Sequence, residues 1–247
     1  MTKGPKDVDY KVIAPPAEHR MEGELRVLDP DKVDEAQDMD TWRIFKIMAE
    51  LIEGFTLLRK YRLAVTFFGS ARAKLEPKLY EDATELARRL AESGFTIITG
   101  GAEGIMEAAN KGAYDAGGQS VGLNIRLASE QQPNRYLTEG QTYNYFFTRK
   151  VMLTFASEAY IYFPGGFGTL DEFTEILTLV QTRKIKRLPI ILYDRAFWEP
   201  LTRFFEEQLL HKYETVSEKD TKLYRIVDSV DEAYRVVMDE VEKGNEN

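Results

Sequence analysis

Short apolar runs alternate with helical segments along most of this chain. "LAVTFFGS" (63–70), "FTIITGG" (95–101), "SVGLNI" (120–125), "EAYIYF" (158–163) and "LPIILYD" (188–194) are unbroken apolar stretches rich in β-branched and aromatic residues. Runs of that kind are strands covered on both faces. Between them lie helical patterns. "EPKLYEDATELARRLAESG" (76–94) is amphipathic, with Pro77 in its first turn and Gly94 as a stop. "AEGIMEAANKGAYDAGG" (102–118) is a small-residue helix closed by Gly117-Gly118. The order predicts an α/β fold: a doubly wound, mostly parallel Rossmann-like sheet with helices on both faces. "QTYNYFF" (141–147) reads as a further strand, and segments near 196–211 and 229–242 read as helices.

Residues 1–40 differ from the rest. They hold Pro5, Pro15, Pro16 and Pro30 and the acidic cluster Asp29, Asp31, Asp34, Glu35, Asp38 and Asp40. An extended arm is expected there, either a solvated tail or a strap on a neighbouring subunit. Residues 41–247 are expected to form one Rossmann-like domain. It begins with a helix over 41–59, where Ile44, Ile47, Met48, Leu51, Ile52, Phe55 and Leu58 make a single apolar stripe.

Composition removes several classes of function. The formal charge of -8 argues against a nucleic-acid partner. Without cysteine there is no disulfide framework, thiolate nucleophile or cysteine zinc site. With two histidines, His19 and His211, no histidine metal cluster is expected, and general-base work falls to carboxylates. No apolar run reaches the roughly 18 residues of a membrane span. "MTKGPKDVDYK" has no signal-peptide apolar core, so a cytoplasmic protein is expected, with no membrane partner and no metal.

Ligands of doubly wound sheets bind beyond the carboxyl ends of the strands. Those ends read "FGSARAK", "ITGGAEG", "LNIRLASE" and "FPGGFGT". Gly100, Gly101 and Gly104 let a phosphate approach backbone N–H groups at a helix start, or simply turn the chain tightly. "PGGFGTLDE" (164–172) is more specific. Gly165, Gly166 and Gly168 can build a nest of N–H donors, and Thr169 can donate to a phosphate. The alternative is a capping box, since Glu172 follows Thr169 by three residues. Asp171 reads as a surface acid, and Glu175 as either a support for the site or plain surface. In "FFTRKVMLTFA", Arg149 and Lys150 sit at a helix start against the dipole, which points to a nearby anion or carboxylate; the alternative is two solvated bases. "RKIKR" (183–187) reads as a solvated loop.

"PGGFGTLDE" together with "TRK" at 148–150 resembles the P-G-G-x-G-T-x-x-E signature and Arg-Lys pair of the Lonely Guy (LOG) proteins, cytokinin riboside 5′-monophosphate phosphoribohydrolases. "FFGSARAK" and "TGGAEGIMEAANKGAYDAGG" are similar to that family's first two loops, and the likeness covers about residues 62–194. The second loop departs from the family's G-G-G-x-x-G-L-M-G, and Glu103 and Glu107 bring negative charge to it. The resemblance implies hydrolysis of a nucleoside 5′-monophosphate, AMP or an N6-substituted AMP, to free base and ribose 5-phosphate. Arg149 and Glu172 would then be the catalytic pair with Lys150 in support. Gly165, Gly166, Phe167, Gly168 and Thr169 would hold the phosphate. Gly69, Ser70, Gly100, Gly101 and Gly104 would line the rest of the nucleotide pocket.

In that reaction a Glu172 carboxylate, kept ionised at a positive helix end, stabilises an oxocarbenium-like sugar and orients water. Arg149 holds Glu172 or the substrate's oxygens. The "lysine decarboxylase" label that such proteins often carry is rejected, because no motif here carries a Schiff base; no cofactor is expected. The alternatives are a nucleotide- or molybdenum-cofactor-binding protein without turnover and an oligomeric scaffold. The resemblance also implies a homo-oligomer, a dimer at least, with a hexamer open to the longer forms.

Overall fold

The computed structural model describes residues 33–72, 76–127 and 132–245. The chain divides between Arg43 and Ile44 into two units. The described part of the first is the opening of helix α1 (Val33–Leu58), and the expected arm otherwise lies outside the described residues. The second unit carries a seven-stranded sheet: β1 (Ala64–Phe68), β2 (Thr96–Thr99), β3 (Ser120–Ile125), β4 (Glu139–Tyr143), β5 (Ala159–Tyr162), β6 (Ile190–Tyr193) and β7 (Arg225–Val227). The order is β4-β3-β2-β1-β5-β6-β7, and every pairing is parallel. No described helix is long and apolar enough to cross a membrane.

Strands β1, β2, β3, β5 and β6 are buried along their whole length, as their unbroken apolar sequences require. One face is covered by α2 (Pro77–Glu92), α3 (Ile105–Asp115) and α7 (Val230–Asn245), around Phe67, Leu86, Ile97 and Ile161. The other is covered by the second half of α1, α4 (Phe146–Thr154), α5 (Phe167–Gln181) and α6 (Arg195–Phe204), around Ile98, Tyr162, Phe173 and Trp198. The Trp198 indole N–H donates to the Tyr162 carbonyl at 3.1 Å, so this ring buries its polar edge satisfied.

Four elements differ from the sequence reading. The helix expected over 41–59 already starts at Val33, so residues 33–40 of the expected extended arm are helical. The strand expected over 141–147 pairs over Glu139–Tyr143, and α4 already starts at Phe146. β7 is three residues long, too short to show a period. The helix expected near 196–211 is α-helical to Phe204 and wound as a π-helix over Phe205–Lys212.

Candidate active site

The strand order reverses between β1 and β5, so the loops after these strands stand over one crevice. Ser70 N donates to Pro164 O at 3.0 Å, and Ile105 N donates to Ser70 O at 3.1 Å. These bonds tie the loops after β1, β5 and β2 together. Two adjoining cavities open there. One, of about 350 Å³, is lined by Gly69, Gly100, Arg149, Gly168, Thr169 and Glu172 among others. The second, of about 530 Å³, is lined by Pro164, Gly165, Phe167 and Leu170. Ser70, Arg72 and Gly166 line both. Each volume lies in the range of small-molecule sites.

The glycine turn works as bare backbone. A Cβ on Gly165 would strike the Thr169 hydroxyl, so the turn closes only with glycine there. A Cβ on Gly166 or Gly168 would meet nothing within 4 Å, so both present backbone to open space. Gly166 is the N-cap of α5, and no side chain caps that helix. Its free N–H groups and positive dipole end therefore face an anion-sized opening. The capping box is not formed: Thr169 is the third helical residue and Glu172 the sixth. Phe167 stands at the lip, 92% exposed.

Arg149 crosses beneath this turn from α4. Its Nε donates to Leu123 O of β3 at 2.6 Å and its Nη2 to Gly100 O, just past the carboxyl end of β2, at 3.4 Å. A Cβ on Gly100 would collide with Nη2, which explains glycine at that position. Asn124, with its amide nitrogen toward the turn, donates to Gly100 O at 3.0 Å and Gly101 O at 3.1 Å. Burial lowers the guanidinium's pKa, opposed by the negative charge of Glu172 and then by Tyr143. The bonds of Arg149 go to backbone, so of the two roles expected for it, holding Glu172 is a through-space attraction and not a hydrogen bond, and holding the substrate's oxygens stays open.

Glu172 lines the same cavity, and its Oε2 is buried without a hydrogen-bond partner. Burial pushes its carboxyl up to about 7, against the lowering pull of Lys150. Glu175 pushes upward and Arg149 downward with smaller weight. This corrects the expectation that a helix end keeps Glu172 ionised. Six residues in, it lies past the first turn, where the dipole has faded.

Lys150 lines neither cavity. It pairs with Asp171 at 2.7 Å and Glu175 at 3.4 Å, bracing α4 against α5. Burial works against its charge, but these carboxylates outweigh it and the pKa is raised. Asp171 is an exposed acid, as the sequence suggested, and it also lines the first cavity and pairs with Lys150. Gly101 and Gly104 also lie outside both linings. Their φ angles of +72° and +70° belong to glycine, and a Cβ would meet Asn124 and the Ser70 carbonyl respectively, so they shape the second loop. Glu103 is exposed, and neither it nor Glu107 lines either of these two cavities. The sequence reading missed Arg72, Met106, Phe146 and Leu153. Arg72 had a signal, a cation three residues beyond the Phe-Gly end of β1; the apolar three had none that separates them from core.

A family profile described as "Possible lysine decarboxylase" matches residues 106–237, more than half of the chain. The chain belongs to this family, the LOG family. The cytokinin riboside 5′-monophosphate phosphoribohydrolase of Rhodococcoides fascians is 28% identical over 155 residues, 62% of this chain and 78% of that one. The enzyme LOG of Oryza sativa subsp. japonica is 27% identical over 150 residues, 60% of this chain and 61% of its own length. Among solved structures, the molybdenum cofactor carrier protein of Chlamydomonas reinhardtii superposes with a TM-score of 0.56 at 20% identity, over 73% of this chain and 98% of that chain. The molybdenum cofactor binding protein of Rippkaea orientalis gives 0.51 at 21%, over 72% and 96%. These two show the shared fold. Within the LOG-family segment lie Arg149, Lys150 and the whole of "PGGFGTLDE"; the β1 loop and Gly100 lie upstream of it.

Proposed function

We propose that this protein hydrolyses the N-glycosidic bond of a nucleoside 5′-monophosphate, AMP or an N6-substituted AMP, releasing free base and ribose 5-phosphate. The observation that carries the reading is the placing of Glu172 and Arg149 on one cavity beside a glycine turn whose bare amides open toward it. The activity named for the LOG-family relatives supports it. In this reading the 5′-phosphate rests on Gly166–Thr169, with Arg72 beside it. Binding energy there fixes the sugar in place, away from the bond that breaks. The ionised Glu172 stabilises positive charge at C1′ and takes a proton from water as the water oxygen bonds to C1′. The C1′–N bond breaks, its electron pair leaves with the base, and the base picks up a proton. Arg149 supplies fixed positive charge to oxygens of the sugar.

Incubation of the purified chain with AMP and with N6-isopentenyl AMP, followed by chromatography, tests this. Free base is expected from the native protein and not from Glu172→Gln or Arg149→Ala. A carrier of a nucleotide or cofactor would bind and release nothing; AMP that raises the melting temperature of the native chain and is returned intact would favour that alternative over hydrolysis. We also propose that the chain self-associates through α1, whose Ile44, Phe45, Met48, Ile52 and Phe55 are exposed.

A further inference from the structure

The basic run Arg183–Arg187 belongs to no part of the site above. The structure sets it across from residues 217–222, enclosing a cleft of about 850 Å³ with six cations on its wall: Arg183, Lys184, Lys186, Arg187, Lys219 and Lys222. The single acid in that wall, Asp220, has its Oδ2 engaged by Ser217 N and Oγ at 2.7 and 2.8 Å. Lys186 pairs with Glu158, and Lys222 with Glu218 at 2.6 Å. Arg187 donates to Lys222 O at 3.3 Å, joining the two segments. Among the described residues Arg183, Lys184 and Lys219 form no ion pair. In a chain of net charge -8, such a concentration of uncompensated positive charge on two separate segments calls for an anion.

The backbone points the same way. Arg183 has φ +58°, the left-handed conformation that follows a helix end and usually falls to glycine. A side chain with a Cβ is strained in that conformation. Helix-dipole compensation accounts for Arg183 and Lys184, which follow the end of α5, but not for Lys219 and Lys222, which come from elsewhere.

The cleft continues into an apolar cavity of about 170 Å³ lined by Leu177, Phe205, Leu209, Val216 and Tyr224; Gln181, Asp220 and Leu223 belong to both. Part of its wall is the π-helical segment Phe205–Lys212, a winding that is rare and concentrated at functional places. An apolar cavity of about 150 Å³ takes up a benzene ring. We propose that the cleft and cavity form a second ligand site for an amphiphilic phosphate ester, its phosphates among the cations and its apolar or aromatic end in the cavity. An inorganic anion would leave the cavity unused, and an extended nucleic acid would meet the chain's overall negative charge.

Calorimetric titration of the full chain with ATP, hexyl phosphate and inorganic tripolyphosphate tests the assignment. At least one organic phosphate binds more tightly than tripolyphosphate. The exposed charge reversals Lys184→Glu and Lys219→Glu together weaken it by roughly tenfold or more. Leu209→Trp, which fills the cavity, weakens the organic ligand and spares tripolyphosphate. A preference for ATP identifies the apolar end as a nucleobase and a preference for hexyl phosphate identifies a lipid phosphate; either upholds the site. It is overturned if neither organic phosphate binds at millimolar concentration, if the double reversal binds as the native chain does, if tripolyphosphate binds as tightly as both, or if a short RNA binds more tightly than either. Base release from AMP by the reversal variant reports on the first site separately.

Discussion

Glu172 exchanges its proton near neutral pH because burial outweighs its cationic neighbours. Its folded-state pKa of about 7 lies above the ordinary 4.5, so the native state holds the proton more firmly than the unfolded chain. The stabilisation that follows is complete below about pH 4.5 and is lost as pH rises through about 7. At about 1.4 kcal/mol per pKa unit, the group withdraws up to roughly 3 kcal/mol by pH 8. Urea unfolding at pH 5 and pH 8 is expected to show Glu172→Gln more stable than the native chain at pH 8, with the gap closing at pH 5. The same variant is expected to lose base release by at least roughly 100-fold, the scale of a removed acid–base group. Equal pH dependence of stability in the two proteins would mean that the carboxyl is not buried as described. Gly100 gives a second test at this scale. Gly100→Ala forces the Arg149 guanidinium off its carbonyl, and a displacement near 1 Å at a site like this costs about 100-fold in kcat/KM. A kcat/KM within a few-fold of native would show that the position of Arg149 is unimportant.

Helix α4 carries Arg149 into place, yet its own N-cap, Tyr145, provides no side-chain bond. The cap comes from α1. Glu50, buried there, accepts from Asn144 N at 2.7 Å, Asn144 Nδ2 at 2.8 Å and Thr148 Oγ1 at 2.5 Å. Burial raises this carboxyl's pKa, but the hydrogen bonds from Thr148 and Asn144 outweigh it and the net shift is downward. Its contribution is thus present above the ordinary carboxyl range and lost as pH falls through the folded-state value. Glu50→Ala leaves those donors buried and unpaired and is expected to cost about 2–4 kcal/mol in urea unfolding at pH 7, with less loss at pH 4. A cost under 0.5 kcal/mol would mean that α4 is held by packing alone. The same contact explains why the sequence ran a strand on through Phe147: the group that starts α4 lies 94 residues away from Asn144, beyond any local pattern. By contrast the Pro164–Glu172 turn was legible, because its geometry follows from glycines next to one another in the chain. Lys150 is intermediate. Its penalty at a helix start announced a carboxylate, but the identity of Asp171 and Glu175 as partners depends on how α4 packs on α5.

For the molecule as a whole, the apolar pattern of α1 was read as one stripe and is two. Leu51 is half-buried, and Gly54, Leu57 and Leu58 are buried toward the sheet. Gly54 is so close to Met152 and Tyr143 that no Cβ fits. On the other side Ile44, Met48, Ile52 and Phe55 recur at steps of three and four with exposures from 43% to 63%, and Phe155, just past the end of α4, extends the patch with its ring 6.3 Å from that of Phe55. Periodicity could not divide the stripe, because 3.6-residue spacing identifies apolar positions and not which neighbour covers them. A contiguous exposed face of this kind on a folded domain marks an interaction surface. The occupant favoured here is a second copy, since the patch is a self-contained helix face of the sort that pairs about a two-fold axis. Sedimentation equilibrium is expected to return a multiple of the 28.4 kDa chain mass, and Phe45→Glu with Ile52→Glu is expected to return the chain mass itself with unchanged far-ultraviolet circular dichroism. A native chain that sediments as a monomer at micromolar concentration would assign the face to a different partner.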